Sequence, residues 1–555
     1  MKKTRFYFSI FLFFLFPLLS KADEKVLIKA LQNELKRFST ELKTQQNPPY
    51  YIGYELFDIQ SANLTNSFGK TLNKSTSRRR YVDIDIRVGD YNLDNTHRVS
   101  SGPFEGSSYS SVNIPIEDDE VAIRNAIWNA SEKAYKEAVK QYRNVLTNKA
   151  VKVKEEDTSA DFSREKPNVY FEARKDYTVD LNRWEKIFNN LSDLFRENKW
   201  LLSGRISFSF ENVYKILVNS EGTELAFNEP RFRIFIYVQT KANDGMVLYL
   251  YKSFFAFDEN ELPDEQVLKN ELSNLISKLK KLKEAPLMET YSGPAILSGE
   301  ASGVFFHEIF GHRVEGHRQK DPNSSQTFKS FLNKKVLPDF MSVVFDPTLN
   351  RLNGIPLSGF YKYDDEGVQA QKVVSVDSGI FKRFLMSRSP IENFPNSNGH
   401  GRKSYGYRAV ARQSNLIVES NRKVPFERLR QMLIEECKKQ GKEYGLLFEQ
   451  VEGGFTFTGR TIPNAFNVLP ILVYKIYVDG RPDEIVRGVD LIGTPLTTFS
   501  NIIATGDDLG VFNGVCGAES GGVPVSACSP SILVSKIEVQ KKAKSEEKPP
   551  ILPSP

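Results

Sequence analysis

Hydrophobic positions recur at helical spacing between Glu24 and Lys43, where Leu27, Leu31, Leu35, Phe38 and Leu42 form one side of an amphipathic helix. From Tyr81 to Val88 the period shortens to two: Val82, Ile84, Ile86 and Val88 alternate with Tyr81, Asp83, Asp85 and Arg87, the pattern of a half-buried strand. A Gly/Ser-rich stretch, Ser100 to Ser111, predicts a loop, and Val121 to Leu146 returns to helical spacing. Between Arg205 and Phe257, β-branched and aromatic runs are broken at Asn219-Ser220-Glu221-Gly222 and at Lys241-Ala242-Asn243-Asp244-Gly245, which predicts an antiparallel meander. A charged helix from Glu265 to Lys283 and a linker from Pro286 to Pro294 follow, so a domain boundary is expected near residue 290. Beyond it come a helical pattern carrying histidines, many short strand-like runs, and a helix from Glu427 to Lys439. The segment from Lys541 to Pro555 is charged and proline-rich, a composition that predicts disorder.

At 555 residues the chain exceeds the size at which one core stops growing, so two large domains are expected. Lys2, Lys3 and Arg5 precede an uncharged, mostly apolar stretch from Phe6 to Ser20, and small residues flank Lys21 before Asp23. That order predicts an export signal over residues 1–22, with an uncleaved anchor as the alternative; the stretch is short for a spanning helix, which needs roughly 20 residues. Removing the signal takes the formal charge from +6 to +2, with only short basic runs at Arg78-Arg79-Arg80 and Lys278 to Lys283. A nucleic-acid binder would carry a concentrated basic face, so that class is not expected.

Chemistry concentrates in the second half. Of five histidines, His307, His312 and His317 lie within eleven residues. His307-Glu308-Ile309-Phe310-Gly311-His312 is one residue longer than the zinc peptidase pattern H-E-x-x-H, in which two imidazoles one turn apart share an ion and the Glu is the general base. A spacing of five separates the side chains by roughly 140° around a regular helix, against about 40° for a spacing of four. Either a π-type turn or a helix ending near Gly311 would bring them together, and otherwise the two histidines are unrelated. Cys437, Cys516 and Cys528 are too few for a disulfide framework. Cys516 is open to three readings, a ligand, a buried thiol, or a partner for Cys528, while Cys437 reads as a plain helix residue.

The stretch Gly303-Val-Phe-Phe-His307-Glu308-Ile-Phe-Gly311-His312-Arg-Val-Glu315-Gly316 resembles the signature of the TldD/PmbA family of metallopeptidases. Val218-Asn-Ser-Glu-Gly222, Gly401-Arg-Lys-Ser-Tyr405, Val486-Arg-Gly488 and Gly514-Val-Cys516-Gly517 to Gly522-Val-Pro-Val525 extend the resemblance in the expected order. It implies an α+β chain: a mixed N-terminal domain, residues 23–290, and a β-rich catalytic domain, residues 291–540. It further implies that His307, His312 and Cys516 bind one zinc ion with Glu308 catalytic, and that the protein pairs with an identical or related subunit. Two imidazoles, a thiolate and an open position make a catalytic rather than structural zinc site. Hydrolysis of small or unfolded peptides is then expected, Glu308 carrying the proton from water to the leaving amine.

One departure is visible: the family usually has an Asp after Glu315-Gly316, and this chain has His317, a spare ligand or a change in the ligands' surroundings. Glu315 is a candidate partner for a ligating imidazole, and Arg402 and Tyr405 are candidates for stabilising an oxyanion. Competing expectations are a non-catalytic subunit, a thiol hydrolase with Cys516 as nucleophile, and a binding protein of the cell envelope. Export itself leads to the periplasm or the medium.

Overall fold

The computed structural model describes residues 20–97, 110–151, 157–321, 324, 326–456, 466–493, 495–542, 547–550 and 552. In the first half, helix α1 (Ser20–Glu41) leads into β1 (Pro49–Ser67), β2 (Lys70–Val88), β3 (Ser110–Asn113), α2 (Glu120–Val151), β4 (Val169–Phe171), α3 (Leu181–Ser192), β5 (Ser203–Asn219), β6 (Glu224–Lys241), β7 (Val247–Ala256) and α4 (Glu265–Glu284). The strands form one sheet in the order β3-β2-β1-β5-β6-β4, with β7 also paired to β6. Even-numbered residues of β1 and β5, among them Tyr54, Leu64, Phe208 and Ile216, are buried against all four helices, so one face of the sheet carries the whole helical layer. Asp180 and Asp264 accept hydrogen bonds from the first backbone N–H groups of α3 and α4, satisfying donors the helices cannot.

The opposite face carries buried charge and meets the second half. Lys215 pairs with Asp365, and Lys403 pairs with Asp83 and, at 2.8 Å, with Glu55. Arg388 grips both oxygens of Glu221 at 2.7 and 2.8 Å. Buried ions persist only when paired in this way.

Pro286 to Pro294 is not a free linker. Tyr291–Leu297 is a strand, β8, because its backbone finds partners on two sides. It is followed by α5 (Gly299–Ile309), β9 (Met341–Phe345), β10 (Val373–Asp377), β11 (Ile380–Phe381), β12 (Asn415–Ser420), α6 (Phe426–Lys439), β13 (Tyr444–Thr456), β14 (Phe466–Tyr477), β15 (Val489–Gly493), β16 (Ile502–Gly506), β17 (Gly510–Ala518), β18 (Gly521–Ser529) and β19 (Ile532–Lys541). One sheet runs β11-β10-β9-β12-β18-β17. In the other, β19, β15, β14, β13 and β8 pair in sequence and β8 pairs back onto β19, closing a ring of five strands. Helix α5 lies between the two sheets. The chain is α+β, as expected, and strands outweigh helices.

The helices expected at residues 24–43, 121–146, 265–283 and 427–439 and the meander of residues 205–257 are all present. Lys541 belongs to β19 rather than to a disordered tail, since its backbone pairs with Val489. Residues 1–19, which carry most of the expected signal, and residues 98–109, most of the expected loop, lie outside the described residues, as does much of the tail.

Candidate metal centre

Ser298 starts α5 by accepting from the Ala301 N–H, and every residue from Gly299 to Ile309 except Glu300 is buried. Glycines let the helix approach its strands. A Cβ on Gly303 would lie 2.7 Å from the Ala527 carbonyl oxygen of β18, and one on Gly299 would lie 2.3 Å from the Gly510 nitrogen of β17. Phe305, Phe306, Ile309 and Phe310 are fully buried, each contributing about 1.5–3 kcal/mol of transfer free energy.

The helix ends at Ile309, and Gly311–Arg313 form a 3₁₀ turn. Of the two ways to unite His307 and His312, this is the second: His312 comes from the turn beyond the helix. Arg313 secures the break by donating to the carbonyls of Glu308 (2.9 Å) and Ile309 (3.1 Å), which the ended helix leaves open. Gly311 serves by its lack of a side chain: it is not among the positive-φ glycines, and a Cβ there would sit 1.8 Å from Gln413 Oε1.

Cys516 lies on β17, where it pairs in register with Val523 of β18. Its Sγ is 3.3 Å from His307 Nε2 and 3.4 Å from His312 Nε2, and one donor atom from each residue falls within 4.8 Å of the others. With zinc bonds of roughly 2.1 Å to nitrogen and 2.3 Å to sulfur, the edge of a tetrahedral site is about 3.5 Å, so the two sulfur-to-nitrogen spacings fit such an ion. Burial would raise the Cys516 thiol, but the charges of His312 and His307 hold it well below the usual thiol range. Burial would lower His312, but Cys516 and Glu315 raise it. Cys528 and Cys437 are free and buried, and burial pushes Cys528 up to about 12, so the disulfide alternative for Cys516 does not hold.

Behind the donors stands Glu315, wholly buried. Its Oε2 lies 3.2 Å from His312 Nδ1 and accepts from Arg318 Nε at 2.8 Å, and its Oε1 faces Arg412 Nε at 3.5 Å. Burial raises this carboxyl, but the three cations overrule it and pull it down to about 2. A proton on His312 Nδ1 shared with Glu315 leaves Nε2 free to ligate. On the other side, Gln413 Nε2 donates to the His307 carbonyl at 3.2 Å. His317 is turned away from the donors and pairs with Glu519, which also accepts from Arg318 at 2.9 Å.

The three donors line a cavity of about 420 Å³ whose wall also includes Glu308, Arg318, Glu519 and the β13 stretch Glu452 to Thr456. Arg402 and Tyr405 are absent from it. The Arg402 guanidinium lies 4.0 Å over the Tyr361 ring beside Asp365, and Tyr405 stacks on Tyr81 at 4.4 Å. Their expected oxyanion role is not supported, because the loop they occupy packs on the first-half sheet. His400 is wholly buried between Asn398 and Ser414, and His97 pairs with Asp161 in the first half. Sequence reasoning missed Arg313, Arg318, Arg412, Gln413 and Glu519; only Arg313 and Arg318 stood close enough to the histidines to have drawn notice.

Residues 290–541 match the family model described as PmbA/TldA metallopeptidase C-terminal domain. The second half of the chain is similar to the C-terminal domain of that family. The chain is 30% identical over 259 residues to a metalloprotease of Archaeoglobus fulgidus, spanning 47% of this chain and 56% of that one. With a metalloprotease of Methanocaldococcus jannaschii it shares 27% over 324 residues, 58% of this chain and 66% of the relative. With a zinc metalloprotease TldD homologue of Saccharolobus solfataricus it shares 25% over 365 residues, 65% and 75% of the two chains. The first two matches therefore span less than two thirds of the relatives' lengths. Likeness in fold extends further than these alignments. TldE from Thermococcus kodakarensis superposes with a TM-score of 0.59 at 13% identity, over 92% of this chain and all of that one. A Thermotoga maritima protein described as a modulator of DNA gyrase does so with a TM-score of 0.60 at 15% identity, over 92% and 99%.

Proposed function

We propose that this protein is an exported zinc metallopeptidase acting on small or unfolded peptides. The observation that carries it is the convergence of His307, His312 and Cys516 at one wall of a cavity that Glu308 also lines. These three residues would hold the ion. Zinc in a three-donor site supplies an acidified water and a polarised carbonyl. Glu308 follows His307 at the end of α5, and its carboxylate takes the water's proton and delivers it to the departing amine. Glu315 holds the proton on His312 Nδ1, and Arg318 keeps Glu315 ionised. A cavity of about 420 Å³ admits a few residues of extended chain and excludes a folded domain. The zinc metalloprotease among the relatives supports the choice of metal, and likeness to both TldD and TldE proteins supports assembly with an identical or related subunit. The basic and apolar start of the sequence supports export to the periplasm or beyond.

A second reading has its own observation. Two imidazole nitrogens within 3.4 Å of Cys516 Sγ would also suit a thiolate nucleophile. Metal content and peptide hydrolysis, measured on wild type, Glu308→Gln and Cys516→Ala, separate the two. One zinc per chain, with activity lost but zinc kept in Glu308→Gln and zinc lost in Cys516→Ala, supports the metallopeptidase. Activity that survives chelation and Glu308→Gln but not Cys516→Ala supports the thiol hydrolase. Tight zinc binding with no turnover would leave a binding protein or a non-catalytic subunit.

A further inference from the structure

The three donors come from segments that lie about two hundred positions apart in the chain, and something other than the ion must hold them at ligand spacing. The structure assigns this to Arg412: we propose that it is a positioning residue for metal capture, tying the histidine arm of the site to the cysteine arm. The proposal rests on the metal reading above.

Arg412 is wholly buried and reaches both arms. Its Nη2 donates to the backbone carbonyl of Cys516 itself at 2.6 Å. Its Nη1 donates to Ser520 Oγ at 2.8 Å and to the Gly521 carbonyl at 3.0 Å, which fixes the turn between β17 and β18 and hence the height of Cys516. Its Nε faces Glu315 Oε1, whose other oxygen meets His312 Nδ1. A closed circuit results: Sγ of Cys516, Nε2 and Nδ1 of His312, the Glu315 carboxylate, the Arg412 guanidinium, and the Cys516 carbonyl. The neighbouring Gln413 anchors His307 through its carbonyl, so two adjacent residues touch His307 and Cys516 directly and reach His312 through Glu315. A guanidinium suits this place because its planar fork donates in several fixed directions at once, whereas an ammonium does not.

The test is zinc affinity of the metal-stripped full chain, by competition with a chromophoric chelator, together with the thiolate-to-cobalt absorption after Co²⁺ loading. Arg412→Lys keeps the charge beside Glu315 but cannot make all three remaining bonds, and zinc affinity should fall roughly tenfold to a hundredfold, with a shifted cobalt band. Arg412→Met should fall further. Ser520→Ala removes one anchor without burying an unpaired charge and should fall several-fold. A merely structural Arg412 would lower thermal stability in all three while folded protein kept wild-type affinity and an unchanged cobalt band, and that result overturns the proposal. If Arg412→Lys and Arg412→Met fail to fold, Ser520→Ala decides alone: unchanged affinity and spectrum overturn it. Wild-type protein that takes up neither ion would remove the metal reading itself, and this role with it.

Discussion

Two clusters of buried charge sit in this molecule, and their difference shows what marks a site. Between the halves, Lys215, Lys403, Arg231 and Arg402 face Glu55, Asp83, Glu229 and Asp365, four cations to four carboxylates, so the cluster neutralises itself. Around Glu315 the cations are likewise matched, but the circuit ends in His307 Nε2, His312 Nε2 and Cys516 Sγ, whose lone pairs face chiefly one another. Burial and charge are common to both places. Donors aimed at a shared point are confined to the second.

That contrast can be broken most strongly at the donors. Cys516→Ala should abolish stoichiometric zinc, read by metal analysis, while the metal-free protein loses only about 1 kcal/mol of stability for one small side chain. In the interfacial cluster the order reverses. Lys403→Met leaves buried Asp83 without its cation and Glu55 with Lys215 alone, at 3.8 Å, and should cost about 3–5 kcal/mol by urea unfolding, with the zinc affinity of folded protein unchanged. Gly311→Ala sits between these extremes. Its Cβ collides with Gln413, and the expected loss is about 1–3 kcal/mol together with weaker zinc binding; pairing it with Gln413→Ala should restore most of the stability.

The smallest effect belongs to a histidine in neither cluster. Burial pushes His400 down to about 3, far below its ordinary value near 6.5. The unfolded chain therefore gains a proton as pH falls through about 6.5 while the native state refuses it until about 3, so this contribution to stability is intact above that window and lost within it. Between pH 7 and about pH 5.5 the loss should be about 1 kcal/mol in urea midpoints, absent in His400→Gln. A titration that stays flat for wild type would contradict the buried neutral imidazole.

Much of this architecture was legible in the sequence because amphipathic periods report burial directly. Leu27, Leu31 and Phe38, or Val82, Ile84 and Ile86, carry their environment in their spacing. The histidine segment was legible as chemistry, yet its spacing of five allowed two backbones, and the choice fell to Arg313 capping the broken helix and Gln413 occupying the space over Gly311. Arg412 and Gln413 lie about a hundred positions from the histidines, and no local pattern announces a contact at that range. The same limit misplaced Arg402 and Tyr405, whose neighbours Asp365 and Tyr81 belong to distant segments. His317 could be seen as a departure, but its partner Glu519 could not.

The closed ring of five strands gives the two arms of the site unequal mobility. Ala295 and Ile296 of β8 pair with Leu446 and Leu447 on one side and with Val534 and Leu533 on the other, so the strand that launches α5 has no free edge. Strand β17, which bears Cys516, ends its sheet and is paired only with β18 among the described residues. Amide exchange should thus be slowest where the histidine arm is rooted and faster along the cysteine arm. Loss of the ion would loosen the site by letting β17 breathe against a helix that stays still.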